Sequence, residues 1–242
     1  MTDAARAELA PTGVLRAAIN LSNFLLVTGK SEGGEPEGVS PSMAAEVARR
    51  LGVEVEYITY KTPGELADAA VDDVWDIGLI GAEPARAVHI DFTAAYSEIE
   101  ATYLVPPNSS ITSVDEVDRP GHRIAVPARA AFELWLTDNI QHAELHRTTG
   151  RDGAFSTFVD EKMDALAGLR AGLVNDVDRL PGSRILDGQF TAVQQAIGTK
   201  KGRPAGAAFL HDFVEEAKAS GFVGDLIRRF GVEGRLSVAP AA

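Results

Sequence analysis

The chain has 242 residues, 45% of them hydrophobic, and a formal net charge of -12. This is enough apolar material for one large domain or two small ones, and the acidic balance argues against nucleic-acid binding and for a soluble monomer. With no cysteine, disulfides, thiolate nucleophiles and the commoner zinc sites are excluded, and no run reaches the roughly 18 consecutive apolar residues of a membrane span.

Residues 1–12 read as a loose arm or a frayed helix. They lack the basic start and apolar core of a signal peptide, so the chain either stays in the cytoplasm or has lost an export signal. Gly13 to Asn20 reads as a first strand, with Asn23 and Phe24 just past its end. Gly29 to Gly38 is a glycine-rich loop. Ser40 to Leu51 has apolar positions at 43, 44, 47, 48 and 51 and a Gly stop at 52, the pattern of an amphipathic helix. Val53 to Ile58 alternates as a half-buried strand does, and Thr62-Pro63 opens a second helix.

The next stretch, Asp76 to Tyr96, is the one on which a function can be hung. Ile77 to Ile80 is a short apolar run between turn signals, hence a buried strand. Pro84 then suits the first turn of a helix. Arg86 would stand where a strand ends and a helix begins, and a guanidinium beside backbone N–H groups is a good receptor for a carboxylate. Residue chemistry alone favours a surface ion pair over a ligand contact.

The order so far is β-α-β-α-β, which predicts a parallel sheet covered by helices. A second alternating unit occupies roughly residues 100–190. It has strands at 123–127, 143–147 and 163–167 and an edge strand at 184–186. Its helices are at 130–140, 155–161 and 169–180. Thr191 to Ile197 is extended, and Ala205 to Ser220 and Phe222 to Phe230 are helices. Two similar α/β units with a helical tail suggest two lobes crossed twice by the chain. Ligands in such units bind outside the carboxyl ends of the strands, here in a cleft between lobes.

These segments, in this order, resemble the family 3 extracellular solute-binding proteins, which have the type II periplasmic binding protein fold. The resemblance runs over about residues 13–235. It is carried by Gly38 to Gly52, Trp75 to Arg86, Asp91 to Tyr96, Gly121 to Val126, Met163 to Ala165 and Val214 to Gly221. It implies two Rossmann-like lobes joined by two hinge strands, with residues 1–98 plus 194–242 in lobe 1 and 99–193 in lobe 2. Hinge closure would trap a small anionic or zwitterionic molecule for an ABC permease in the periplasm, with no cofactor, no metal and no catalysis. By the same resemblance Arg86 grips a ligand carboxylate. Asn20, Asn23, Phe24 and Tyr96 line the site, and Gly81, Ala82 and Glu83 supply the backbone before the arginine.

Two departures from the family pattern shift the expected ligand. Leu169 stands where α-amino-acid binders carry an acid for the ammonium, and an unpaired ammonium in a closed site costs several kcal/mol. Arg129-Ala130 replaces the family's Gly-Ser/Thr, and Arg170 follows Leu169. Both add positive charge, favouring an organic or dicarboxylic acid, although Glu83 and Glu98 could take over an ammonium.

Other chemistry is thinly represented. His89, His122, His142, His146 and His211 are scattered, there is no Gly-x-Gly-x-x-Gly after a strand, and no Gly-x-Ser-x-Gly occurs. Trp75 and Trp135 read as core residues. The alternatives are a dehydratase of cyclic acids on the same fold, using Glu83, Glu98 or Glu133 as proton donor, and a cytoplasmic ligand sensor.

Overall fold

The structure is a computed structural model and describes residues 2–242. It divides into two compact units, residues 1–98 with 194–242 and residues 99–193.

In the first unit the chain runs α1 (Thr2–Leu9), β1 (Val14–Asn20), a small hairpin of β2 (Gly29–Lys30) and β3 (Pro36–Glu37), α2 (Val39–Leu51), β4 (Glu54–Tyr60), α3 (Pro63–Asp68), β5 (Ile77–Gly81) and β6 (Ile90–Phe92). After the second unit it returns as α7 (Pro204–Ala219), α8 (Phe222–Arg229) and β13 (Ser237–Val238). Two strands belong to both units, β7 (Ser97–Val105) and β12 (Thr191–Lys200). β1 lies between β4 and β5, parallel to both, while β12 runs antiparallel to β5 and β6. β13 adds antiparallel to the start of β7 through Ser237–Glu98 and Val238–Ser97.

Local sequence explains the helix ends. Thr62 and Glu65 form a reciprocal capping box at the start of α3, with Pro63 in its first turn. Gly52 closes α2 in the left-handed region (φ 69°), its N–H bonded to the carbonyls of Ala48 and Arg49. Gly38, at φ 148°, leads into α2, and a β-carbon there would run into the Leu26 carbonyl. The face of α2 carrying Met43, Ala44, Val47, Ala48 and Leu51 is buried, as its spacing predicts. A cluster of Ala18, Leu66, Ala70, Trp75, Ile80 and Ile90 fills the space under α3, and the Trp75 indole N–H donates to the Leu66 carbonyl at 3.2 Å.

On the other face of α2, Glu46 accepts from Arg49 and Arg50, and Arg50 also reaches Glu216 on α7 at 2.7 Å. The Arg49 hydrogen bond, with Arg50 adding to it against burial, lowers the Glu46 pKa from 4.5 to about 2. A carboxyl whose folded pKa is depressed stabilises the fold above its unfolded pKa and loses that contribution as pH falls through the folded value. Glu46→Gln is therefore expected to be less stable than the parent at pH 7, with the gap closing between pH 4.5 and about 2. Urea unfolding across that range reads it, and a gap that persists unchanged at pH 2 refutes it.

The second unit runs through the rest of β7, then β8 (Arg123–Pro127), α4 (Ala131–Asn139), β9 (Glu144–Thr148), α5 (Gly150–Asp160), β10 (Ala165–Leu169), α6 (Arg170–Arg179) and β11 (Arg184–Ile185). β8 is flanked by β9 and β10, parallel to both, and β7 closes the sheet antiparallel to β10 and β11. Its core gathers Leu104, Ala125, Phe155, Phe158, Met163, Leu166 and Leu173. Trp135 is half-buried and packs on Phe190 (5.6 Å between centroids), which in turn packs on Tyr103 (4.6 Å).

Four local readings are corrected. Residues 2–9 are an ordered helix, because Ala5 and Leu9 are buried and the Glu8 carboxylate accepts from Gly206 N–H at the start of α7 (2.7 Å). Pro84 opens no helix: the chain makes turns from Glu83 to His89 and enters β6. β10 begins two residues later than its apolar run suggests: at Asp164 the backbone N–H donates to the Arg123 carbonyl (3.0 Å), but the return bond from Arg123 N–H goes to the Asp164 carboxylate (2.8 Å). α5 starts at Gly150, ahead of the first aromatic on which periodicity could act.

Candidate functional site

In the first unit the candidate residues collect at the carboxyl ends of two adjacent parallel strands. Asn20 ends β1 and Gly81 ends β5, with Ile19 registered against Leu79. The Asn20 carboxamide oxygen accepts from the N–H and hydroxyl of Ser22, and that of Asn23 accepts from Leu25 N–H. Both asparagines thus build the loop after β1 as side-chain-closed turns. Asn23 is buried within this loop and Phe24 is half-buried.

After β5 the chain turns sharply. The Glu83 carbonyl accepts from Arg86 N–H (2.9 Å) and Ala87 N–H (3.0 Å), and Ala82 N–H donates to Gln194. The turn folds the Arg86 side chain back along the strand end, where its guanidinium donates to the Gly81 carbonyl at 2.7 Å. Arg86 is only 6% exposed. A guanidinium keeps its charge at any physiological pH and offers five donors in a fixed plane, of which one is fixed here by Gly81. The half-buried Glu83 lies in the same turn. The structure therefore brings Asn20, Gly81, Glu83 and Arg86 to one end of the β1–β5 pair.

Tyr96 takes another role. It is fully buried, its hydroxyl is 2.8 Å from the Ser40 hydroxyl at the head of α2, and burial raises its pKa well above the usual phenol value. It braces the first unit from its interior.

In the second unit, Arg129 and Arg170 follow the carboxyl ends of β8 and β10, which pair in parallel. Their environments differ. The Arg170 guanidinium is held by Glu100 (2.7 Å) and by the carbonyls of Leu186 and Gly188. Those donors are committed to the unit itself. Leu169 is the last residue of β10 and precedes the first turn of α6. Arg129 is exposed and sits in the left-handed region at φ 63°. Its N–H donates to Glu133 at 2.8 Å.

Glu133, read from sequence only as a possible proton donor, is 3% exposed and fully engaged as an acceptor. Arg147 Nε (2.7 Å), the Thr137 hydroxyl (2.8 Å) and Arg129 N–H all donate to its carboxylate. Its oxygens are taken up by donors from its own unit. The signal for this role is an acid three residues past Ala130, the spacing of a capping box. It was hidden because Ala130 has no hydroxyl to complete the pair. Glu98, the third candidate acid, accepts from Gln194 at 2.9 Å. Among the described residues no group of three or more His, Asp or Glu side chains is placed to hold a metal ion.

The fold defined by these elements is that of the type II periplasmic binding proteins. The family described as bacterial extracellular solute-binding proteins, family 3, matches residues 22–233, and the chain belongs to it. An ancestral amino acid-binding protein, described as a precursor of cyclohexadienyl dehydratase, is similar at 20% identity and a TM-score of 0.72, over 92% of this chain and 97% of that one. A mutant of ArgBP from T. maritima is 22% identical with a TM-score of 0.71, over 95% of this chain and all of that one. An amino acid ABC transporter substrate-binding protein from Streptococcus pneumoniae, bound to L-arginine, is 18% identical with a TM-score of 0.72, over 92% and 96%. No curated protein sequence matches the chain. No helix among the described residues is long and apolar enough to cross a membrane.

Proposed function

We propose that this solute-binding protein captures a small carboxylate-bearing ligand, an organic acid or amino-acid-like compound, outside the cytoplasmic membrane and delivers it to an ABC transporter. The observation that carries this reading is Arg86: a buried guanidinium at the carboxyl end of β5, oriented by the Gly81 carbonyl. Such a group meets a carboxylate with two parallel hydrogen bonds. The neighbouring ends of β1 and β5 are where α/β sheets bind ligands. Arg129, beyond β8, and the apolar Leu169, ending β10, favour negative charge on the ligand over a required ammonium.

A thermal-shift screen tests the reading, because a ligand that binds only the folded state raises the melting temperature by mass action. The panel is succinate, L-glutamate, L-arginine, L-lysine, prephenate and arogenate. Succinate or L-glutamate is expected to give the largest shift. A shift confined to L-arginine and L-lysine overturns the preference for negative charge, and a flat panel overturns the carboxylate anchor. The relative described as a dehydratase precursor makes an enzyme the second reading. Turnover of prephenate or arogenate in the same samples would establish it, against the engaged state of Glu133.

A further inference from the structure

We propose that Asn20 and Asn23 are specificity-determining residues: their carboxamides, locked with the oxygen turned into the chain, present N–H donors after β1 and select an acid with a further oxygen acceptor, a hydroxy or keto acid, over an α-amino acid. This selectivity rests on the carboxylate-binding function proposed above and involves residues of the first unit alone.

A carboxamide can offer a ligand either its oxygen or its NH2 group, and the two ends suit opposite partners. At both asparagines the backbone makes the choice. A backbone N–H can only donate, so the carboxamide atom that receives it is the oxygen. The Asn20 oxygen accepts from Ser22 N–H at 3.1 Å and from the Ser22 hydroxyl at 2.8 Å. The Asn23 oxygen accepts from Leu25 N–H at 3.2 Å. Turning either group over would set N–H against N–H, so the orientation is fixed by the loop that it closes. The two nitrogens donate to no described residue. Asn23 is only 8% exposed, yet its nitrogen is not sealed from solvent. A donor held in so little water gains from a ligand oxygen that replaces the water it lacks.

The topology puts these donors at the strand end where Arg86 folds back. Asn20 is the last residue of β1, one step past Ile19, and Ile19 is registered against Leu79 of the parallel β5. Gly81, whose carbonyl orients Arg86, is two steps past Leu79. Adjacent strands lie about 4.8 Å apart, so Asn20 and Gly81 end neighbouring strands at nearly the same level. Asn23 follows within one short turn, its carbonyl accepting from the N–H groups of Leu26 and Val27. To a guanidinium the two carboxamides add donors only. An oxygen beside the bound carboxylate can accept from them. An ammonium has three donors and no acceptor, and finds nothing in either carboxamide to pair with. Asparagine itself is what makes the difference: aspartate would close the same turns and present an oxygen instead.

The experiment titrates the full chain by calorimetry at pH 7 with succinate, L-malate and L-aspartate, which differ only in carrying hydrogen, hydroxyl or ammonium on the second carbon. L-Malate is expected to bind about fivefold more tightly than succinate, the yield of one added neutral hydrogen bond, and at least tenfold more tightly than L-aspartate. Asn20→Asp and Asn23→Asp keep the oxygen that closes each turn and exchange the donor for an acceptor. Each is expected to erase most of the preference for L-malate over succinate and to raise L-aspartate relative to L-malate. A merely structural role, or added negative charge acting at a distance, would weaken succinate and L-malate alike and leave their ratio unchanged. Succinate binding as tightly as L-malate, L-aspartate binding most tightly of the three, or a ratio unchanged in both variants overturns the inference while leaving the carboxylate function standing. If none of the three binds the unaltered chain, the carboxylate function fails and the selectivity falls with it.

Discussion

Arg86→Ala abolishes the ligand-induced rise in melting temperature while leaving the unliganded protein folded. Removing one partner of a buried, hydrogen-bonded charge pair costs about 2–5 kcal/mol of binding. The lower bound corresponds to roughly a 30-fold loss of affinity. A ligand present at 100 times its dissociation constant stabilises by about 2.7 kcal/mol. A loss at the upper bound removes nearly all of that, and one at the lower bound removes most of it. The substitution also releases the Gly81 carbonyl, which lies at a strand end where water can replace the donor. Arg86→Lys separates charge from geometry. It keeps the positive charge but loses the planar fork, so it is expected to bind succinate and L-glutamate more weakly than the parent and more tightly than the alanine variant. Equal affinity for the parent and Arg86→Ala, by calorimetry, would remove Arg86 from the site.

Asp76→Ala is expected to cause the largest loss of stability of any single substitution considered. Asp76 is fully buried at the head of β5, yet charged partners meet it from two directions. Arg16 on β1 donates from its backbone N–H, Nε and a terminal nitrogen at 2.9–3.0 Å, and Arg203, before α7, donates at 3.2 Å. The Thr199 hydroxyl takes the Asp76 carbonyl at 2.9 Å. Removing the carboxylate takes away the buried partner that Arg16 and Arg203 share, leaving Arg203 its more exposed pairing with Asp73 at 2.9 Å. Breaking a buried pair in this way costs about 3–5 kcal/mol. Equilibrium urea unfolding measures it. A loss below about 1 kcal/mol would place Asp76 among ordinary surface-type ion pairs. Because Arg16, Asp76 and Arg203 stand at the opposite strand ends from Arg86, ligand affinity per folded molecule should be preserved.

Asp76 also shows where residue patterns stop being informative. An Asp at a strand head reads as a turn or cap residue, and nothing in the neighbouring sequence points to Arg16 and Arg203, 60 and 127 positions away. Periodicity reports which face of an element is apolar, so the alternation of βα units and the buried face of α2 could be read in advance, whereas Trp135, read as a core residue, is only half-buried. Periodicity cannot report a polar partner brought in by topology. The same limit governs the site. Arg86 was legible because a single Arg follows a strand and a Gly-Ala-Glu-Pro turn. The commitment of Arg170 to Glu100, the burial of Tyr96 under Ser40 and the anchoring of Arg129 by Glu133 each depend on a contact that spacing does not encode. Residues 2–9 failed for a further reason: a short helix with two buried positions is fixed by what it packs on, and that is α7, about 200 residues downstream.

That last contact sets an order on how the molecule can come together. Residues 99–193 form one unbroken segment, and every strand of their sheet is on the chain once Val193 has been made. The other unit is split. β1, β4 and β5 can pair early, but β5 keeps a bare edge until β12 arrives, and α1, which also touches α2, lacks its main packing partner until α7 emerges. Closing contacts of such long sequence separation form late, because the chain entropy of the loop must be overcome first. During synthesis the β1–β5 half therefore waits with an exposed strand while the inserted unit completes. In that interval the unpaired edge of β5 is open to pairing with other chains.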